Sequence, residues 1–211
     1  MTVNPVNFSR FLVATLFIPV AQAQVLAPDV LVKTITDEVV TVLRQDKDIQ
    51  AGDTKKVANL IETKVLPHFN FTRMTRLAMA RNWRLASPEQ QAELTNEFRT
   101  LLVRTYSTAI SSYREQKIEY KPLRAKPEDT EVTVKAEVRQ PGSTQPVPID
   151  YEMEKTSNGW KVYDVKVGGV SLVTTYRETF AAEVKDRGVD GLIKSLAEKN
   201  RSGERLKPGK T

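Results

Sequence analysis

The chain predicts an α+β domain, a helical layer packed on one face of a curved antiparallel sheet of about four strands. Three observations predict it. Apolar residues recur at helical spacing through the first part of the chain and again near its end, whereas between Glu131 and Glu154 they alternate with polar residues. The two periodicities are also segregated along the chain, as they are when helices cover one side of an antiparallel sheet.

The first element is a leader. Arg10 supplies a positive n-region, 11–20 are mostly apolar, and Ala21-Gln22-Ala23 reads as a cleavage site, so residues 1–23 predict a secretory signal peptide and a mature chain starting at Gln24. A ten-residue, mostly apolar stretch is too short for the roughly 20 residues that cross a bilayer. The chain has no cysteine, which excludes a lipoprotein anchor and a disulfide framework and fits an exported periplasmic protein held by an ordinary core.

After the leader, Asp29 is expected to cap a helix in which Leu31, Ile35, Val39 and Val42 share a face, until 46–52 break the pattern. Asp53 caps a second helix with Val57, Leu60, Ile61 and Val65, stopped by Pro67, and a shorter helix spans 71–79. Ser87 and Gln90 form a capping box with Pro88 at the first helical position, opening a long helix from Glu89 to Glu115. Its apolar stripe holds Leu94, Phe98, Leu101, Leu102, Thr105, Ile110 and Tyr113.

Strands follow at 117–121, 131–139, 147–154 and 160–167. In the middle pair Val132, Val134, Ala136 and Val138, then Val147, Ile149, Tyr151 and Met153, share one face, with the turn at Pro141-Gly142-Ser143. Gly168-Gly169 frees the backbone, Ser171 caps a helix carrying Val173, Tyr176, Phe180 and Val184, and Gly188 ends it before a short helix from Asp190. Residues 24–198 thus form one domain, and 199–211, with five cations among two Gly and a Pro, form a basic flexible tail, the alternative reading being a patch for transient contact with a membrane surface.

Chemistry is read by elimination. The formal charge of +6 falls to +5 without the leader and is scattered, unlike the concentrated track of a nucleic-acid binder. One histidine and no cysteine exclude a thiol nucleophile and a histidine-rich metal site, and no cofactor motif occurs. His68 reads as a capping or surface imidazole. Ser171 lacks the second glycine of a nucleophile elbow, since Val173 stands there. Asp164, mid-strand among apolar neighbours, reads as structural, bonded to backbone or to an Arg or Tyr; the rival reading makes it the general base of a cone-shaped isomerase. Trp160 reads as a core anchor. An inert interaction protein is the third reading. What remains is apolar surface, and the pattern admits both a solid core and a cavity, with Ala136, Thr105 and Ala109 leaving room.

Asn82-Trp83, then Ser87-Pro88-Glu89-Gln90-Gln91 with Phe98, Leu101, Leu102 and Tyr106, then Ile149 two residues ahead of Tyr151, and the block from Gly159 to Phe180 resemble the MlaC family over about 30–199. Gly168 departs from the acidic residue many members carry there. The resemblance implies a periplasmic phospholipid carrier, associated with toluene tolerance. Acyl tails would occupy a pocket between helix and sheet, with the head group near solvent. It implies cargo exchange between an outer-membrane lipoprotein complex and an inner-membrane Mla ABC transporter, maintaining outer-membrane lipid asymmetry. Expected are no catalysis, no metal, no cofactor other than phospholipid as cargo, and a monomer. The surfaces assigned to the pocket are Leu77 on the short helix, Leu94, Phe98, Leu101, Leu102, Thr105, Tyr106, Ala109 and Ile110 on the long one, and the dry strand face from Val132 to Met153. Val165, Val167, Val170, Leu172, Val173 and Tyr176 complete them.

Overall fold

The structure, a computed structural model, describes residues 26–111 and 115–203. The expected leader, Tyr113 and residues 204–211 lie outside them. Helix α1 (Pro28–Gln45) starts with Pro28 in its first turn, where a missing N–H costs nothing; Ala27 is the N-cap and Asp29 falls inside the first turn instead of capping. Asp46 does not end the helical region, because its carboxylate accepts from the N–H groups of Asp48 and Ile49 and starts α2 (Lys47–Gln50). Asp53 caps α3 (Thr54–Leu60) in the same way, through Lys55 and Lys56. Beyond Leu60 the helix widens into a π turn, Ile61–Val65, in which the Leu66 N–H reaches the Ile61 carbonyl, and Pro67 closes the segment in the 3-10 turn Leu66–His68.

Helix α4 (Phe71–Met79) covers the predicted residues and continues as the 3-10 turn Ala80–Leu85. Both arms of the capping box open α5 (Pro88–Ser111): Ser87 Oγ accepts from the Gln90 N–H at 3.2 Å, and Gln90 Oε1 accepts from the Ser87 N–H at 2.9 Å.

The sheet is an antiparallel meander of β1 (Lys117–Tyr120), β2 (Glu131–Arg139), β3 (Val147–Thr156), β4 (Gly159–Val167) and β5 (Val170–Ser171). The fifth strand is one more than the periodicity gave. Gly168 and Gly169, at φ +60° and +84°, reverse the chain so tightly that Ser171 pairs with Lys166 before any helix begins. Ser171 still caps: its Oγ accepts from the N–H groups of Val173 and Thr174 at 3.2 and 2.9 Å, starting the 3-10 turn Thr174–Tyr176 that leads into α6 (Arg177–Ser202). Gly188, at φ +69°, kinks α6 into the two predicted pieces. Helix α6 runs past Lys199, where the tail was expected, because Arg104 donates to the Lys199 and Asn200 carbonyls and Asn200 donates to Glu97.

Strand β4 is bulged. Glu152 pairs with Asp164 but Met153 pairs with Val162, which leaves Tyr163 as the extra residue. Strict alternation would put Val162 and Val165 on opposite faces; the bulge returns both to the face that the helices cover. The start of α4 is pinned there, with Asn70 N–H donating to the Val162 carbonyl at 2.8 Å. Arg73 bridges Glu131 of β2 and Glu154 of β3, which are paired across the two strands.

Candidate functional site

Between the helical layer and the sheet lies a cavity of about 650 Å³. Helix α1 supplies Leu31, Ile35, Val39 and Leu43 from one row at four-residue spacing, and the π turn adds Ile61 and Val65. The sheet contributes Ile118, Val138, Ile149, Tyr151 and Val165, and α4 contributes Phe71 and Met74. Among the described residues, none that lines the cavity carries a carboxylate, ammonium or guanidinium group. Its polar groups are neutral: Thr36, Ser107, Gln116, Gln140, Tyr106 and Tyr151, with His68. Burial pushes the Tyr106 and Tyr151 phenols well above their ordinary range. Burial first, and then Lys161, hold the His68 imidazole below its usual value, against the opposing pull of Glu38. Gln140 and Val167 are the exposed lining residues, so the cavity meets solvent where β2 and β4 end.

The assigned residues divide. Leu102, Tyr106 and Ile110 of α5 line the cavity, as do Val138, Val147, Ile149, Tyr151, Met153, Val165, Val167 and Leu172. Leu94, Phe98, Leu101, Val173 and Tyr176 are instead in a solid cluster between α4, α5 and α6, with Leu77 packed against it. Val134 is sealed beneath Val32 of α1, and Val132 packs at the edge of that contact. Ala136 is buried and Val170 exposed, neither lining the cavity. Thr105 faces the Tyr176 hydroxyl instead. The side chain of Ala109 lies outside what the structure describes.

Helical geometry explains the division along α5. Residues at i+4 advance 40° beyond a full turn, so the row Leu94, Phe98, Leu102, Tyr106 and Ile110 swings through about 160° along its length. Its start therefore faces α6 and its end the cavity. The sequence reading missed the α1 and π-turn walls and His68. The four-residue row in α1 was visible, but nothing in its period says whether the stripe meets a neighbour or a void.

Asp164 is 4% exposed and absent from the lining. Ser171 Oγ donates to its Oδ2 at 2.6 Å and the Val165 N–H to its Oδ1 at 2.8 Å. Burial nevertheless raises its pKa above the ordinary carboxylate value, these hydrogen bonds opposing. The carboxylate thus anchors the capping Ser171, and through it the start of the segment leading into α6.

A cavity lined, among the described residues, by uncharged and mostly apolar side chains between a helical layer and an antiparallel meander has the form of a hydrophobic-ligand pocket. The chain belongs to the MlaC family, whose model, described as "MlaC protein", matches residues 33–198. It is 21% identical over 172 residues to the "Intermembrane phospholipid transport system binding protein MlaC" of Haemophilus influenzae, covering 81% of this chain and 80% of that one. It is 29% identical over 108 residues to the "Toluene tolerance protein ttg2D" of Pseudomonas putida, covering 51% of this chain and 49% of that relative. Among solved structures it resembles the phospholipid-binding protein of Ralstonia solanacearum in complex with a phospholipid, with a TM-score of 0.75 and 41% identity over 82% of this chain and 97% of that one.

Proposed function

We propose that this chain is a periplasmic phospholipid carrier that buries acyl tails in the cavity and passes lipid between outer- and inner-membrane complexes, preserving outer-membrane lipid asymmetry. The observation that carries the reading is the size of the cavity together with its lining. Left to water, the apolar walls around about 650 Å³ would stay exposed, at a cost of about 25 cal/mol per Å² of apolar surface. Acyl chains remove that cost. The relatives' names and the phospholipid held by the Ralstonia solanacearum protein point to the same cargo.

Two tails of roughly 30 methylenes would gain about 24 kcal/mol gross over water, beyond the practical affinity ceiling, so release into water is negligible. A bilayer offers tails a similar environment. Exchange with a membrane is therefore near balance, and direction comes from the partner complexes. No step in this cycle requires bond chemistry. Against the isomerase alternative, both oxygens of Asp164 are engaged by protein donors and neither faces the cavity.

Native mass spectrometry of the protein purified from the periplasm tests the reading. The expected result is a complex heavier than the mature chain by the mass of a phospholipid. A bare chain that also fails to take lipid from phospholipid vesicles contradicts it.

A further inference from the structure

Residues 63–88 contain no Asp or Glu, yet carry Lys64, Arg73, Arg76, Arg81 and Arg84. Lys64 is paired with Glu38, and Arg73 with Glu131 and Glu154. Arg76, Arg81 and Arg84 are exposed and, among the described residues, pair with no carboxylate. A fourth exposed guanidinium joins them from α6, since Arg177 Nε donates to the Leu77 carbonyl at 2.9 Å, in the last turns of α4. Next to Arg84, Leu85 is 66% exposed, more than any other large apolar side chain among the described residues.

The scaffold beneath these groups is rigid. Gln91 Nε2 donates to the carbonyls of Trp83 and Ala86, both at 3.2 Å, and Trp83 packs against the solid cluster. The three-residue repeat of the 3-10 turn puts Arg81 and Arg84 on one side of it. Ala80 enters that turn at φ +49°, a region unfavourable to a residue with a Cβ. None of these residues lines the cavity.

We infer that Arg76, Arg81, Arg84, Arg177 and Leu85 form a docking surface for an acidic protein face that offers a small apolar recess to Leu85. The inference rests on the carrier reading and gives a surface and a chemistry to one of its partner contacts. A protein is favoured over a bilayer by the type of cation. All four are Arg, although 17 of the 32 cationic side chains in the chain are Lys. Protein interfaces enrich Arg and deplete Lys, whereas an anionic bilayer surface attracts both alike. The planar guanidinium also pairs with carboxylates in two-bond geometry. One projecting leucine suits a recess; it is not the broad apolar face with which a helix lies in a membrane.

The test is co-sedimentation of the lipid-loaded protein with three preparations. These are native bacterial envelope vesicles, the same vesicles after protease treatment, and protein-free vesicles of phosphatidylethanolamine with one third phosphatidylglycerol. Binding is expected to the untreated native vesicles alone, weakening as salt rises. In Arg81→Glu/Arg84→Glu it should fall at least tenfold, and in Leu85→Ser at least threefold, with circular dichroism unchanged. Equal binding to the protein-free vesicles would make the bilayer the partner and overturn the inference, as would no binding to native vesicles or unchanged binding by the charge-reversed variant. Native mass spectrometry of the double variant keeps the two readings apart: it should retain phospholipid whatever its docking, and a bare wild-type mass counts against the carrier reading alone.

Discussion

The two sides of the helical layer use the same kinds of residue to opposite ends. Between α4, α5 and α6, Phe98, Tyr176 and Phe180 meet with ring centroids 5.1–5.8 Å apart, and Leu94, Val173 and Leu196 fill the spaces around them. Between α1, the π turn and the sheet, aliphatic side chains face one another across open volume. A cavity therefore needs no special lining chemistry. It needs walls held apart, and here the solid cluster fixes α5 while the bulge in β4 and the π turn after α3 shape the opposite walls.

Substitutions can break that contrast, and the largest effect is expected in the solid cluster. Phe98→Ala should cost about 3–5 kcal/mol and lower Tm by roughly 10 °C in a thermal melt, since the aromatic neighbours cannot collapse into the space. A loss below about 1 kcal/mol would mean that this side is no better packed than the cavity side. Ile149→Glu, on the cavity wall, should abolish phospholipid retention while costing less stability than Phe98→Ala, because the cavity opens to solvent and its carboxylate can stay hydrated. Full lipid occupancy in a folded Ile149→Glu protein would place the tails elsewhere. Val134→Glu, on the same strand face but sealed under Val32, should unfold the chain instead.

The smallest effect is expected at Asp164, where Asp164→Asn should leave lipid binding within about threefold, because the amide keeps the shape and most of the hydrogen bonding. Its sign with pH is defined. Burial raises the folded pKa, so the folded state holds its proton more tightly than the unfolded chain. The stability of wild type relative to Asp164→Asn should then decline as pH rises from near 4 through the raised value and level off above it. A difference that grows over that window would show hydrogen bonding outweighing burial.

Much of the fold was legible in the sequence because local signals were strong: the Ser87–Gln90 capping box, the alternation in β2 and β3, and the glycines at 168, 169 and 188. The bulge at Tyr163 was not, since one extra residue leaves no mark on composition yet resets which side chains share a face. Much of the cavity wall was hidden for a related reason. Periodicity identifies a buried stripe, but Leu94 and Ile110 belong to one i+4 row and face different surroundings, and only the partners of each turn decide which. The wall supplied by α1 needed tertiary placement. So did His68, whose neighbours Pro67 and Phe69 reveal nothing of the cavity it faces.

Heavy-atom labelling of the cargo tests the central claim most directly. Crystals of the protein loaded with a phospholipid brominated along its acyl tails should give anomalous peaks within van der Waals reach of Ile35, Val65 and Ile149, and none among Phe98, Tyr176 and Phe180. Bromine found instead on the outer face of the sheet, around Leu123 and Tyr163, with the lipid ordered there, would contradict it.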